Sequence, residues 1–297
     1  MDAVEANEFE GRQLNELLAE TGESCLGRLL PAHQRTDDDV HHQEQGIEDE
    51  QRRTHISDTH LDGSERALAR TRRVMRYLRG CDIDLVLVSG DLADHGEISE
   101  YEQVKAELVA DVPVLMLPGN HDNRSAYRTV LRGTDGDAPI NQLHRVGGVL
   151  FALCDSTIPG RNDGRLAPET LEWLRGVLAE ADAPVLVGLH HHPIRLHNPL
   201  VDGIGLGNAD EFAAIVREAP GVAAVLCGHA HAAAAGSFAG RPLLAAPGVV
   251  STTRLPWTTT DELTWANTAD LTDPPSVMFH VLDDEGRLTT HVRTAPE

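Results

Sequence analysis

Cysteine is scarce in this sequence. The chain of 297 residues has four cysteines, and no two of them form a Cys-x-x-Cys pair. A disulfide framework and a thiolate-rich structural zinc site are therefore not expected. Cys154 and Cys227 end short apolar runs, and we expect both to be small buried core residues. Any metal that this chain binds would need oxygen and imidazole ligands.

Long apolar runs are also missing. No run of apolar residues is long enough to cross the hydrocarbon core of a bilayer. The first ten residues are acidic and do not have the basic-then-apolar order of a secretory signal. We therefore expect no membrane span and a cytoplasmic location.

Basic residues are few relative to acidic ones. The chain has 25 lysines and arginines against 47 aspartates and glutamates, which gives a formal net charge of -22. An acidic protein repels the phosphate backbone of nucleic acids, so a nucleic acid polymer is not an expected partner. A small anionic substrate is compatible with this charge, because local cations can override the overall field. The sequence leaves a homodimer open.

Two regions differ in their sequence pattern. We expect residues 1–50 to be a mobile N-terminal extension and residues 51–297 to form the folded domain. From about residue 53, short β-branched runs alternate with helical patterns, as is typical of an α/β protein. The predicted helices are 65–79, 99–110, 168–180 and 209–218. The predicted strands are 85–88, 112–117, 149–154, 185–189, 222–227, 241–245, 277–282 and 288–293.

Five short segments carry side chains of the kind that bind metals. At least three of them directly follow an apolar strand-like run, and ligand crevices in α/β sheets lie beyond the carboxyl ends of strands. One such segment alone is more often a turn or a structural histidine, but five in order indicate that the segments converge. The segments are Asp58-Thr59-His60, Gly90-Asp91, Gly119-Asn120-His121-Asp122, His190-His191-His192-Pro193 and Gly228-His229-Ala230-His231.

The types of side chain indicate the class of metal. Carboxylates, an amide oxygen and imidazoles suit Mn, Fe, Zn or Co. The set is larger than one ion needs, whereas two ions that share a carboxylate would use it fully. Such a pair of ions can activate a water molecule and stabilise an in-line displacement at phosphorus.

In order, the five segments match D-x-H, GD, GNH(D/E), H-x-P and GHxH, and they resemble the calcineurin-like metallophosphoesterase superfamily. The resemblance covers Asp58 to His231. It implies an α/β fold, a four-layer αββα sandwich of two mixed β-sheets, with the metal site at the strand ends. It also implies two divalent or trivalent transition metal ions, Fe or Mn before Zn or Co.

The resemblance also implies roles for single residues. His121 matches the catalytic histidine, which would steady the phosphoryl oxygens or protonate the leaving oxygen. The alternative is a structural role beside Asp94 or Asp122. The expected substrate contacts are Asn120 and His121, together with Arg124 because it follows the GNHD turn. The implied metal ligands are Asp58, His60, Asp91 and His231 for one ion, and Asn120, His191 and His229 with the shared Asp91 for the other.

The ligand in the histidine run depends on the register. The family ligand stands two residues before the proline, which selects His191, with His190 and His192 as the alternatives. The strand before Asp58 departs from the family pattern, because only residues 55–57 are strand-like. Either tertiary pairing extends this strand, or Asp58 and the first ion are held loosely.

A narrower resemblance concerns the substrate. Residues 155–173, the GLHHHPI segment and residues 199–211 resemble class III cyclic nucleotide phosphodiesterases of bacteria, of the cAMP type. This implies that a hydroxide between two ions cleaves a small phosphodiester, a 3′,5′-cyclic nucleotide such as cAMP. The alternatives are a broad-specificity phosphodiesterase or phosphatase of the same superfamily, and a non-catalytic binding module on the same scaffold.

Overall fold

The computed structural model describes residues 51–297, which form two large β-sheets flanked by helices. The expectation for residues 1–50 lies outside the described residues. The first sheet has five strands in the order β13-β12-β1-β2-β3. Strands β1, β2 and β3 are parallel to one another, and β12 and β13 complete the sheet in antiparallel fashion. Its strands are β1 (Arg52–Ile56), β2 (Leu85–Ser89), β3 (Val114–Leu117), β12 (Ser276–Leu282) and β13 (Leu288–Thr294).

The second sheet has six strands in the order β4-β5-β6-β7-β9-β8. Its four inner strands are parallel, and antiparallel strands close both edges. The members are β4 (Gln142–Val146), β5 (Val149–Leu153), β6 (Val185–Gly188), β7 (Val222–Cys227), β8 (Ala234–Phe238) and β9 (Arg241–Ala245). A separate short ladder pairs β10 (Thr252–Thr253) with β11 (Ala269–Asp270).

Six α-helices lie between the strands of the described chain. They are α1 (Glu65–Arg79), α2 (Ile98–Glu107), α3 (Arg124–Tyr127), α4 (Pro168–Ala179), α5 (Pro199–Asp202) and α6 (Ala209–Glu218). A π-helical turn, Arg128–Arg132, continues α3. Helix α1 begins after Ser64, whose hydroxyl accepts a hydrogen bond from the Ala67 amide at 3.3 Å. Within residues 51–297, no helix is long and apolar enough to cross a membrane.

The strands bury both faces, which fixes the order of the layers. In β2, Leu85 and Leu87 pack between the two sheets, whereas Val86 and Val88 pack against α1 and α2. In the second sheet, Phe151 likewise faces the first sheet, and its neighbours in sequence face α4 and α6. Because side chains alternate along a strand, this division gives the layer order α, β, β, α. The predicted four-layer αββα sandwich of two mixed sheets is confirmed.

Cys154 and Cys227 are fully buried in the layer between the second sheet and its helices, as predicted. Burial raises the pKa of both thiols, so neither side chain is a reactive thiolate at neutral pH.

Strand β1 is longer than the three residues expected from its sequence. It spans Arg52–Ile56 and pairs with β2 on one side and β12 on the other. Its buried polar side chains have partners: the Thr54 hydroxyl donates to the Leu85 carbonyl at 2.9 Å, and His55 Nε2 lies 2.8 Å from Ser89 Oγ. Pairing on both sides therefore extends the strand, and Asp58 follows it in a fully buried position.

Candidate metal centre

Loops that follow strands of both sheets meet at one end of the sandwich. The loop after β1 pairs with the loop after β2, where the Asp58 amide donates to the Gly90 carbonyl at 3.0 Å. In the second sheet, the Gly228 amide donates to the His190 carbonyl at 3.0 Å. The segments of the sequence that carry ligand-type side chains are thereby brought together, because parallel strands present their carboxyl ends at the same edge.

The backbone of these loops is strained. Among the described residues, seven non-glycine residues have φ in the left-handed region, and five of the seven are predicted metal ligands. Such conformations cost about 1–3 kcal/mol each and persist where the surrounding structure enforces them, which is frequent at functional sites. The five are Asp58 (φ 55°), His60 (40°), Asp91 (48°), His229 (67°) and His231 (49°).

Asp58, His60 and His231 form a first ligand group, with one donor atom of each lying within 4.8 Å of the others. His60 Nε2 is 3.3 Å from His231 Nε2, and His231 Nε2 is 3.4 Å from Asp58 Oδ1. Asp58 Oδ1 is buried and accepts no hydrogen bond from the described protein. An unpartnered buried carboxylate oxygen is costly, and a cation held by these three side chains would satisfy it.

Asp91, Asn120, His190 and His229 form a second ligand group. His190 Nε2 is 3.2 Å from His229 Nδ1 and 3.1 Å from Asn120 Oδ1. Donor atoms of Asp91, His190 and His229 all lie within 4.8 Å of one another. Two imidazoles, a carboxylate and an amide oxygen therefore converge on one point, a donor set that fits a second transition metal ion.

Asp91 lies between the two groups. Its Oδ2 is 3.4 Å from His60 Nε2 in the first group and 3.3 Å from His190 Nε2 in the second. Its Oδ1 accepts a hydrogen bond from the His121 amide at 2.9 Å. A side chain at Gly119 would overlap both the Asp91 carboxylate and the His190 ring, so this close approach requires glycine. The geometry therefore gives Asp91 a position shared by both groups.

Each histidine of the two groups has a partner for its outer ring nitrogen. A ring N–H that donates outward leaves the lone pair of the inner nitrogen for a metal, and the same bond fixes the orientation of the ring. The pairs are His60 Nδ1 with Asp94 Oδ1 (2.8 Å), His190 Nδ1 with the Ser89 carbonyl (2.7 Å), His229 Nε2 with the Ile204 carbonyl (3.0 Å) and His231 Nδ1 with Ser251 Oγ (2.8 Å).

The electrostatic field of this cluster favours positive charge. Burial opposes a charge on His190, but the carboxylates of Asp91 and Asp58 outweigh it and raise the pKa of His190 to about 9. His229 lies farther from the carboxylates, and burial together with the neighbouring imidazoles of His191 and His190 holds its pKa well below the usual range. The carboxylates of the cluster therefore favour a bound cation, and its neutral imidazoles can donate lone pairs to that cation, as a metal site requires.

His191, predicted as the ligand in the histidine run, does not face the second group. Its Nδ1 is 2.8 Å from Ser156 Oγ, and its Nε2 is 3.2 Å from the Asn162 carbonyl. His190, one residue nearer to β6, takes the position beside Asp91. The register set by Pro193 therefore selects the wrong histidine of the run. The signal in the sequence is the end of the strand, because His190 is the first histidine after it. His190 replaces His191 in the ligand set.

His121 stands at the rim of the cluster. Its Nδ1 donates to the Asp94 carbonyl at 2.7 Å, and its ring packs edge-on against His60 with centroids 4.6 Å apart. The side chain is 39% exposed, so Nε2 is accessible from the cavity. Asp122, by contrast, is buried and accepts hydrogen bonds from three backbone amides and from the Tyr101 hydroxyl. The carboxylate beside His121 is thus that of Asp94.

Arg124, predicted as a substrate contact, is turned away from the cluster. Its Nε donates to Asp155 Oδ2 at 2.8 Å, and one NH2 group donates to the Thr157 carbonyl at 2.9 Å. Only 12% of the side chain is exposed, and it does not line the cavity. Since its donors are used within the protein, we no longer propose Arg124 as a substrate contact.

A cavity of about 320 Å³ opens over the two ligand groups. Its floor consists of metal-ligand candidates together with His121. A further part of its wall consists of Val201, Ile204, Trp265 and Ala269, with Thr253 and Thr268. The sequence-based predictions missed this wall, because its residues follow no metal-binding motif.

Comparison with known proteins agrees with the geometry. The family model for calcineurin-like phosphoesterases matches residues 52–233. A probable cyclic nucleotide phosphodiesterase from Rhodococcus erythropolis is 33% identical over 204 residues, which are 64% of this chain and 67% of that protein. A glycerophosphodiester phosphodiesterase from Enterobacter lignolyticus is 33% identical over 193 residues, which are 60% of this chain and 69% of that protein.

Among solved structures, a dimetal phosphatase from Danio rerio is similar in fold. The two superpose with a TM-score of 0.62, over 83% of this chain and 97% of that one, at 17% sequence identity. At this level of identity the likeness concerns the fold.

Proposed function

We propose that this chain cleaves small phosphodiesters at a two-metal site, since it belongs to the calcineurin-like phosphoesterase family of metal-dependent hydrolases. We further propose that 3′,5′-cyclic nucleotides such as cAMP are its main substrates. The observation that carries the proposal is the position of Asp91, whose Oδ2 lies 3.4 Å from one ligand group and 3.3 Å from the other.

Two transition metal ions would be held by the two ligand groups, with Asp91 in both. Fe and Mn are the first choices and Zn and Co the alternatives, because the donors are carboxylate, amide and imidazole groups. When bound, such ions lower the pKa of a coordinated water and offset the charge on the phosphoryl oxygens. The proposed ligands are Asp58, His60, Asp91 and His231 for the first ion, and Asp91, Asn120, His190 and His229 for the second.

His121 is the proposed catalytic residue. The Asp94 carbonyl accepts the proton on Nδ1, which leaves Nε2 directed to the cavity, where it can hold a phosphoryl oxygen or pass a proton to the leaving oxygen. The His121 amide, which donates to Asp91 Oδ1, ties the position of this ring to the shared carboxylate. The Asn120 carboxamide lies on the same loop and is the proposed second contact to the phosphoryl group.

The Mn-loaded protein provides the test. Its turnover of cAMP, a glycerophosphodiester, a bis-aryl phosphate and a phosphomonoester would be compared, with the metal content measured in parallel. We expect turnover of diesters with a preference for cAMP. Asp91→Ala should reduce turnover by about a thousandfold or more, because it removes the ligand that both ions share. Near-normal turnover in a fully metal-loaded Asp91→Ala protein would refute the assignment.

A second candidate substrate class is glycerophosphodiesters. It is favoured by the relative from Enterobacter lignolyticus, which is as identical to this chain as the cyclic nucleotide relative. A preference for glycerophosphodiesters over cAMP would select this class, and a preference for monoesters would overturn both. Metal binding without turnover of any ester would favour a non-catalytic binding module.

A further inference from the structure

Part of the cavity wall is apolar and includes an exposed aromatic ring. Trp265 is 59% exposed and lines the cavity together with Val201 and Ile204. A large indole surface that stays in contact with water costs free energy unless a partner covers it. Trp265 lines the same cavity as the metal-ligand candidates, so a flat apolar group of an ester bound there can cover it.

The position of Trp265 is set by the turn that contains it. The Thr268 amide donates to the Thr264 carbonyl at 2.9 Å, and the Thr264 amide donates to Asn267 Oδ1 at 2.7 Å. The Arg254 amide in turn donates to the Thr268 carbonyl at 2.8 Å, which ties the turn to the segment after β10. These bonds hold the backbone on both sides of Trp265, so little backbone ordering is needed when a ligand binds.

A polar group with no partner in the protein lies on the same wall. Thr268 is 6% exposed, and its Oγ1 is buried without a hydrogen-bond partner in the described chain. Buried hydroxyls are normally hydrogen-bonded, and Thr268 lines the cavity, so its hydroxyl is a candidate partner for a polar atom of a ligand. A ligand that fits this wall therefore has both a flat apolar face and a hydrogen-bonding edge.

We propose that Trp265 and Thr268 form the nucleobase subsite of the cavity, with the base stacked on the indole and one of its polar edge atoms bonded to the Thr268 hydroxyl. This inference rests on the proposed phosphodiesterase function and names the part of the chain that would select nucleotide esters. A purine has both required features, whereas a glycerol ester has hydroxyl groups but no flat ring. The volume of about 320 Å³ lies at the lower end of the usual range for small-molecule sites.

The experiment compares two substrates in three variants of the Mn-loaded full-length protein. Trp265→Ala should lower kcat/KM for cAMP by about 10-fold or more through KM, because a stacking contact is lost. The same variant should lower kcat/KM for glycerophosphoethanolamine much less than for cAMP, and Trp265→Phe should retain most of the activity on cAMP. Trp257→Phe is the matched control, since this tryptophan is similarly exposed at 65% but does not line the cavity.

A binding measurement separates the failure of this inference from failure of the proposed function. AMP should quench indole fluorescence in the wild type and in Trp257→Phe but not in Trp265→Phe, whether or not the protein cleaves cAMP. Quenching without turnover would support the subsite and count against the enzyme assignment. Equal losses on both substrates in Trp265→Ala, or quenching that persists in Trp265→Phe, would overturn the subsite.

Discussion

Two sets of buried histidines, one at the strand ends and one inside the first sheet, differ in their partners. His60 and His190 lie beside carboxylates at the carboxyl ends of strands. His55 and His280 lie inside the first sheet, where their ring nitrogens face each other at 3.3 Å. Their other partners are hydroxyls, Ser89 Oγ for His55 and Thr290 Oγ1 for His280, each at 2.8 Å.

The difference in partners reverses the sign of the pKa shift. Burial lowers the pKa of all four imidazoles, but nearby carboxylates outweigh it and raise the pKa of His60 and His190. No carboxylate balances burial at His55 and His280, and their pKa values fall, that of His280 to about 3. Burial of a histidine therefore does not by itself indicate a metal site. Neighbouring carboxylates distinguish His60 and His190 from the two core histidines.

The largest expected effect separates two adjacent histidines. His190→Asn removes a ligand beside Asp91, so we expect the second ion to be lost and kcat/KM to fall by more than the roughly 10–100-fold that loss of an outer-sphere partner costs. His191→Asn is the matched control. It removes a ring that bonds Ser156, and both ions should remain with a change in kcat/KM below about 10-fold.

The measurements are metal content per chain by elemental analysis and kinetics with saturating Mn. If His191→Asn lost the ion and His190→Asn kept it, the register inferred from the structure would be wrong. The histidine with a carboxylate neighbour would then have behaved like a core residue.

The adjacent residues His190 and His191 also show the limit of the sequence-based predictions. The family resemblance implied the four αββα layers. The alternation of apolar runs and helices predicted only an α/β protein, because the period of side-chain burial is local to each element. It did not predict the five-residue β1, which owes its length to pairing with β2 and β12. It also gave no signal for the edge strands β4 and β8, which lie at the two ends of the second sheet.

At the site, motifs placed the ligand types in the correct loops but did not determine which ring turns inward. His191 and Arg124 were assigned by their distance along the chain from a motif residue. Their orientations depend on Ser156 and Asp155, which lie more than thirty residues away in sequence. Contacts of this kind are set by the packed tertiary structure and cannot be read from local spacing.

A second prediction concerns a buried carboxylate that forms an ion pair with an arginine side chain. Asp155 is fully buried and pairs with Arg124 at 2.8 Å, whereas Asp58 has an oxygen with no hydrogen-bond partner. Arg124→Met should lower the free energy of unfolding by about 2–3 kcal/mol. This loss is smaller than the usual 3–5 kcal/mol for a broken buried pair, because the Ile140 amide and Thr157 still donate to Asp155.

Metal content and KM should not change in Arg124→Met, since this side chain does not line the cavity. The control is Arg165→Met. Arg165 bonds Glu211 at 2.9 Å with both side chains about half exposed, and its loss should cost no more than about 1 kcal/mol. Chemical denaturation of the two variants, with elemental analysis, checks both expectations. A large rise in KM for Arg124→Met would instead show that Arg124 contacts the substrate.

The smallest expected effect concerns the histidines without carboxylates. Above pH 6.5, His280 is neutral in both the folded and unfolded states. Below it, the unfolded chain binds a proton that the folded protein does not bind until about pH 3. The free energy of unfolding should therefore fall as the pH falls, by about 1.4 kcal/mol per pH unit for this residue. From pH 6.5 to 5.0 the loss is about 2 kcal/mol.

His280→Asn isolates this contribution, because the amide can still bond His55 and Thr290 but does not titrate. Denaturation curves from pH 8 to 5, with metal content checked at each pH, should give an acid slope that is shallower for the variant by about 1.4 kcal/mol per pH unit, which corresponds to one proton. Turnover at pH 7.5 should stay unchanged, since His280 does not line the cavity. If the two slopes were equal, His280 would be protonated in the folded protein. The two sets of histidines would then not differ in charge, and the contrast between them would be wrong.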